Sequence, residues 1–123
     1  MKTIRLVQIG IGTVGGEVVG QVIANRDRWR QELGLDIQIA AVVGTEGALP
    51  AEDIAGLEDA TLQAVVAGRM AGQGLAAAAG GAALIPPAEV ISRMIPEGPT
   101  IVVDAAAGEE TASLHARALA LGA

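Results

Sequence analysis

The chain has 123 residues, the size of one domain with a single core and short for a two-domain enzyme. Its net charge of −6 leaves no basic footprint for nucleic acid or an anionic membrane surface, and its lack of cysteine excludes a disulfide frame, a thiolate metal site and a cysteine nucleophile. With no Phe or Tyr and one Trp, the core is expected to consist of Ala, Val, Ile and Leu, whose small side chains let helices lie close to a sheet.

Ile4 to Ile9 reads as a short β-branched strand of the kind found in a parallel sheet covered on both faces. Arg5 and Gln8 interrupt it and a glycine turn follows, which argues against a signal-peptide core. From Val14 to about Leu33 the apolar positions Val14, Val18, Val22 and Trp29 recur at helical spacing. Asn25, Arg26, Asp27 and Arg28 mark a polar side, and Gly34 suits a helix stop. Asp36 to Val43 is a second aliphatic strand, closed by the turn Gly44-Thr45-Glu46-Gly47. Strand, helix and strand together make one βαβ unit.

Pro50, Ala51, Glu52 and Asp53 read as the opening of a helical region that runs, with interruptions, to about Val66. Residues 67 to 87 are low in complexity and rich in Gly and Ala. The uncharged run from Met70 to Ala88 is expected to be a soluble, partly irregular connection, because Ala and Gly gain little from lipid. Within it, Ala82 to Ile85 is expected as a short edge strand. Pro87 to Met94 fits a helix with proline in its first turn, and Thr100 to Asp104 fits another strand. Glu109 to Leu121 reads as a last helix, its two leading glutamates set at the positive end of the dipole. The pattern contains no repeat and no linker. One α/β domain, 1–123, is expected: a Rossmann-like, three-layer fold with a mostly parallel sheet of order 3-2-1-4, in which Ala82 to Ile85 is the third strand.

The chemistry concentrates in the first turn. Gly10, Gly12 and Gly15 form G-x-G-x-x-G between a strand and a helix. Gly10 permits the tight turn, Gly12 leaves space for a pyrophosphate, and Gly15 lets the helix pack on the strand. The helix N-terminus at Thr13, Val14 and Gly15 then faces the phosphates. Seventeen glycines make chance spacings common, so the weight rests on the βαβ context. At the end of the next strand, Glu46 is either the acid that takes a ribose 2′-hydroxyl or a solvated turn glutamate. No Arg or Lys stands beside it to pair with a 2′-phosphate, so the cofactor is NAD or NADP with NAD favoured. Asp104, at a strand C-terminus, either lines the cofactor crevice or caps the turn around Ala105 to Gly108. His115 reads as a helix-surface histidine, and Asp53, Glu58 and Asp59 as a solvated helix face. No spacing suggests a metal site.

These residues resemble the N-terminal domain of homoserine dehydrogenase. Gly10-Ile11-Gly12-Thr13-Val14-Gly15 is similar to the family's Gly-x-Gly-Thr-Val-Gly, and Asn25-Arg26, Leu33-Gly34, Gly47-Ala48-Leu49 and Val102-Val103-Asp104 resemble its later landmarks. The match is specific over residues 4 to 49, fair over 100 to 122, and poor between them. Where the family commonly has Thr after an Asp-Ala pair, this chain has Ala106.

The resemblance implies an NAD(P)-binding domain of a cytoplasmic oxidoreductase of amino-acid biosynthesis, which interconverts homoserine and aspartate semialdehyde. It places Gly10, Ile11, Gly12, Thr13, Val14, Gly15, Glu46, Ala105 and Ala106 at the cofactor. The family's substrate domain has no counterpart here, so no catalytic residue is assigned and no turnover by this chain alone is expected. The fold is in that sense truncated, and the aliphatic strand Thr100 to Asp104, left at an open edge, is expected to favour self-association. The rival expectations are the cofactor domain of a related dehydrogenase, such as aspartate dehydrogenase, and a non-enzymatic nucleotide sensor.

Overall fold

A computed structural model describes residues 2–52, 56–94, 98–105, 116 and 118–121. The chain forms β1 (Lys2–Ile9), α1 (Thr13–Leu33), β2 (Leu35–Gly44), β3 (Gly47–Pro50), α2 (Asp59–Met70), α3 (Leu75–Ala78), α4 (Pro87–Met94) and β4 (Thr100–Asp104). Residues 116 and 118–120 are also helical. Leu121 is a turn residue, and the remaining positions of the helix expected over Glu109 to Leu121, residues 109–115 and 117 with His115 among them, lie outside the described residues.

The four strands form one open, mostly parallel mixed sheet of order β3-β2-β1-β4, an α/β arrangement compatible with a Rossmann-like fold. β1 pairs in parallel with both β2 and β4, with one register shift between Leu6 and Val7. Alternation along β1 sends Leu6 to one apolar cluster and Val7 and Ile9 to another. Val19 and Val22 of α1, Leu62 and Val65 of α2 and Leu75 of α3 join Leu6. Val90 and Ile91 of α4, with Ala118, join Val7 and Ile9. Helices therefore cover both faces, as two-sided aliphatic strands require.

The third strand corrects the expectation. It is Gly47–Pro50, antiparallel to β2, and Ala82 to Ile85 contributes only an isolated bridge between Ile85 and Ala48. The reason is the shortness of the turn: Thr45 and Glu46 alone separate the paired Gly44 and Gly47, so the chain folds straight back as a hairpin. Pro86 and Pro87, which carry no N–H, prevent Ile85 from leading into a longer ladder.

The helical opening expected at Pro50 is likewise displaced. The Ala51 N–H donates to Ala40 O and the Leu57 N–H to Ile39 O, each at 2.8 Å, so Ala51 and Leu57 both bond to β2 and α2 starts only at Asp59; Asp53 lies outside the described residues.

α1 spans the expected range and ends at Gly34, whose left-handed backbone lets its N–H reach Trp29 O. Its buried face differs from the expected stripe: Gly15, Gly16, Val19, Val22 and Arg26 are buried, Trp29 is half-buried, and Val14 is 65% exposed. Arg26, expected on the polar side, lies inside because its Nε donates to Ile37 O at 3.0 Å and its Nη1 pairs with Asp59 Oδ1. Asp59 is thus a partner for α1 as well as a member of a solvated face. Arg30 and Gln38 converge on Asp36 in the same region. Partial burial works against the Asp36 charge, but hydrogen bonds from Gln38 and Arg30 and the charges of Arg30 and Arg26 outweigh it and hold the carboxyl below its ordinary value. Among the described residues no helix is long and apolar enough to cross a membrane.

Candidate functional site

β1 delivers the chain to the turn from the middle of the sheet. The Gly10 N–H donates to Val43 O and the Ala105 N–H to Ile9 O, each at 2.8 Å, so the ends of β2 and β4 flank the turn. Gly10 itself sits at φ +86°, a conformation that glycine adopts without steric cost. The chain then enters α1, whose first bond runs from the Gly16 N–H to Gly12 O at 2.8 Å.

The glycines meet distinct surroundings. A Cβ on Gly15 would stand 1.9 Å from Gly10 O and 2.7 Å from Gly10 C, so the start of α1 lies directly on the turn. A Cβ on Gly12 would meet nothing within 4 Å. Gly12 is the N-cap of α1 and supplies no side-chain hydrogen bond to its first turn. The amides of Thr13, Val14 and Gly15 precede the first intrahelical bond, at the positive end of a 21-residue helix. An open Cβ position at the N-cap, beside helical amides that no side chain caps, is compatible with an anion of phosphate size. The residues present therefore fit the pyrophosphate of a dinucleotide. Thr13 and Val14 are exposed beside this space, while Ile11 is buried and anchors the turn in the core.

Beneath the turn lies Gln8, whose importance the sequence reading missed. It is fully buried, and its Nε2 donates to Gly10 O at 3.1 Å. Its Oε1 is buried with no hydrogen-bond partner. The available signal was a lone amide in an otherwise aliphatic stretch from Leu6 to Ile9.

Glu46 is exposed on the two-residue turn between β2 and β3. Its Oε1 accepts a 2.8 Å hydrogen bond from the Leu75 N–H at the start of α3. Leu75 also packs toward Gly44, where a Cβ would stand 3.5 Å from its Cδ2. The chain's own α3 thus borders the end of β2, a placement that the Gly and Ala-rich composition of residues 67 to 87 did not reveal. Asp104 pairs in register with Ile9 and is exposed, and Ala105 is half-buried next to it. Ala106 lies outside the described residues.

Neither a known protein family nor a curated protein matches the chain at significance.

Proposed function

We propose that this chain binds the pyrophosphate of NAD at the Gly10 to Gly15 turn, as the Rossmann-like cofactor domain of an oxidoreductase resembling homoserine dehydrogenase. The observation that carries the reading is the contrast between two glycines of one turn: Gly15 is needed for packing, whereas the Cβ position of Gly12, at the N-cap of a helix with no side-chain cap, is open. A fold alone uses the first kind of glycine, and a phosphate site uses both.

When bound, the nicotinamide supplies hydride transfer, in the parent reaction between homoserine and aspartate semialdehyde. This chain's residues bind and orient. The amides of Thr13, Val14 and Gly15 hold the phosphate oxygens, Ile11 holds the turn on the core, and Ala105 walls the crevice at the end of β4. Glu46 accepts from the ribose, which favours NAD over NADP. The lack of cysteine suits a cytoplasmic setting. Self-association belongs to the same reading, because β4 is the end strand among the described residues, with Ile101 51% exposed.

Thermal unfolding with NAD and with NADP tests it. A nucleotide at about 100 times its dissociation constant adds about 2.7 kcal/mol of stability, and Gly12→Val removes that gain. Unchanged unfolding of the parent chain at millimolar nucleotide would overturn the proposal.

A further inference from the structure

We infer that the backbone of Gly74 and Leu75 is the specificity-determining support of this site, holding Glu46 where it accepts a ribose hydroxyl and repels a 2′-phosphate. The inference rests on the dinucleotide reading above and adds residues that neither the glycine turn nor β2 contains.

Glu46 stands on an exposed turn, where an unsupported glutamate keeps its rotamer freedom and loses it only on binding. Here it does not stand unsupported. The Leu75 N–H fixes Oε1 at 2.8 Å from 29 positions away in the chain. That donor is itself immobilised, since the Leu75 side chain is 2% exposed in the core cluster that also holds Val42 of β2. Gly74, the N-cap of α3, brings no side-chain cap of its own. The carboxylate of Glu46 lies close against it, Oε1 nearest: a Cβ on Gly74 would stand 2.2 Å from Oε1, 2.9 Å from Cδ and 3.0 Å from Oε2. With Oε1 occupied, Oε2 and the remaining lone pairs accept the ribose hydroxyl. The ordering of the side chain is complete before the ligand arrives, which is the source of affinity in a preorganised site. A fixed negative charge at that point also opposes the 2′-phosphate.

The backbone at Gly74, φ −67° and ψ 165°, suits any residue. Gly74→Ala therefore keeps the local fold and expels Glu46. Gly74→Ser does the same while supplying a hydroxyl that caps α3, so the helix survives the loss of the Leu75 to Glu46 bond. The experiment measures NAD and NADP binding by the full chain, by both Gly74 variants and by Glu46→Gln, with circular dichroism confirming that each is folded.

The expected result is a parent chain that prefers NAD, and a preference reduced by about tenfold in Gly74→Ser, Gly74→Ala and Glu46→Gln alike. If Glu46→Gln loses the preference and the folded Gly74 variants keep it, the support role is overturned and the dinucleotide reading stands. Tighter NAD binding by the Gly74 variants also overturns it, because α3 would then be competing for Glu46. A parent chain that binds neither nucleotide overturns both.

Discussion

Gly15 lies so close to Gly10 that a Cβ on the first would stand 1.9 Å from the carbonyl oxygen of the second. The obstacle is backbone, so no side-chain rotation relieves it. Gly15→Ala is expected to cost about 3 kcal/mol or more, the upper range for overpacking, with or without nucleotide. Gly12→Val, in open space, is expected to cost only about 1 kcal/mol and to abolish the stabilisation by NAD. Urea unfolding of both variants, with and without NAD, separates packing from binding. Equal losses in the two would show that the glycines do not divide these roles.

Gln8 buries an Oε1 that has no hydrogen-bond partner. Gln8→Met, similar in volume, gives up one hydrogen bond to Gly10 O, a net of about 1 kcal/mol, and removes a desolvation cost of about 1–3 kcal/mol. Its stability is therefore expected to equal or exceed that of the parent chain. Gln8→Glu places a charge in the same position and is expected to destabilise strongly at neutral pH. A melting temperature for Gln8→Met well below the parent's would mean that Oε1 is satisfied in solution, for instance by a buried water.

Arg26 ties α1 to Ile37 of β2 and to Asp59 of α2. Removing one partner of a buried pair is worse than removing both, because a charge is left behind. Asp59→Ala is expected to cost about 2 kcal/mol, less than the full penalty of a buried pair, since the Asp59 side chain is 48% exposed. The double variant Arg26→Met with Asp59→Ala is expected to recover part of that loss. A double-mutant cycle measures the coupling, and strict additivity would refute it.

Asp36 has its carboxyl held below the ordinary value of 3.8. The folded chain therefore binds fewer protons there than the unfolded chain. The resulting stabilisation is complete above the ordinary value and is lost as pH falls through the lowered folded-state value. The stability difference between the parent and Asp36→Asn is expected to be largest near about pH 7 and to shrink toward about pH 3. A difference that grows on acidification would reverse the assigned direction.

Ile101 is 51% exposed on β4, the last strand of the sheet among the described residues. Ile101→Lys, a charge of the kind that protects natural edges, is expected to raise the concentration at which light scattering detects association. A parent chain that stays monomeric at high concentration would remove the basis for this expectation.

β1, α1, β2, α4 and β4 were legible because each has a local signature: β-branched runs, a helical period ended by Gly34, and a proline at the start of α4. So was the glycine turn, whose context is local too. The hairpin was missed because the turn Gly44-Thr45-Glu46-Gly47 closes β2 equally well whether the chain leaves or returns, and only pairing decides. Arg26 reads as a surface residue until Ile37 O and Asp59 come to meet it from distant parts of the chain. The link between Glu46 and Leu75 joins two turns through one backbone amide, and a backbone amide has no letter in a sequence.

The hairpin at one end of the sheet also sets a limit on growth. β3 is bridged on its outer side by Ile85, through the Ala48 N–H to Ile85 O at 2.8 Å and the Ile85 N–H to Ala48 O at 2.9 Å, and two prolines follow. At the other end, β4 is the terminal strand among the described residues. A particle with one adhesive side and one blocked side cannot propagate a chain: when two such sides meet, each has spent its only bond. If the proposed self-association runs along β4, it is expected to stop at a closed, twofold pair and not to extend into filaments.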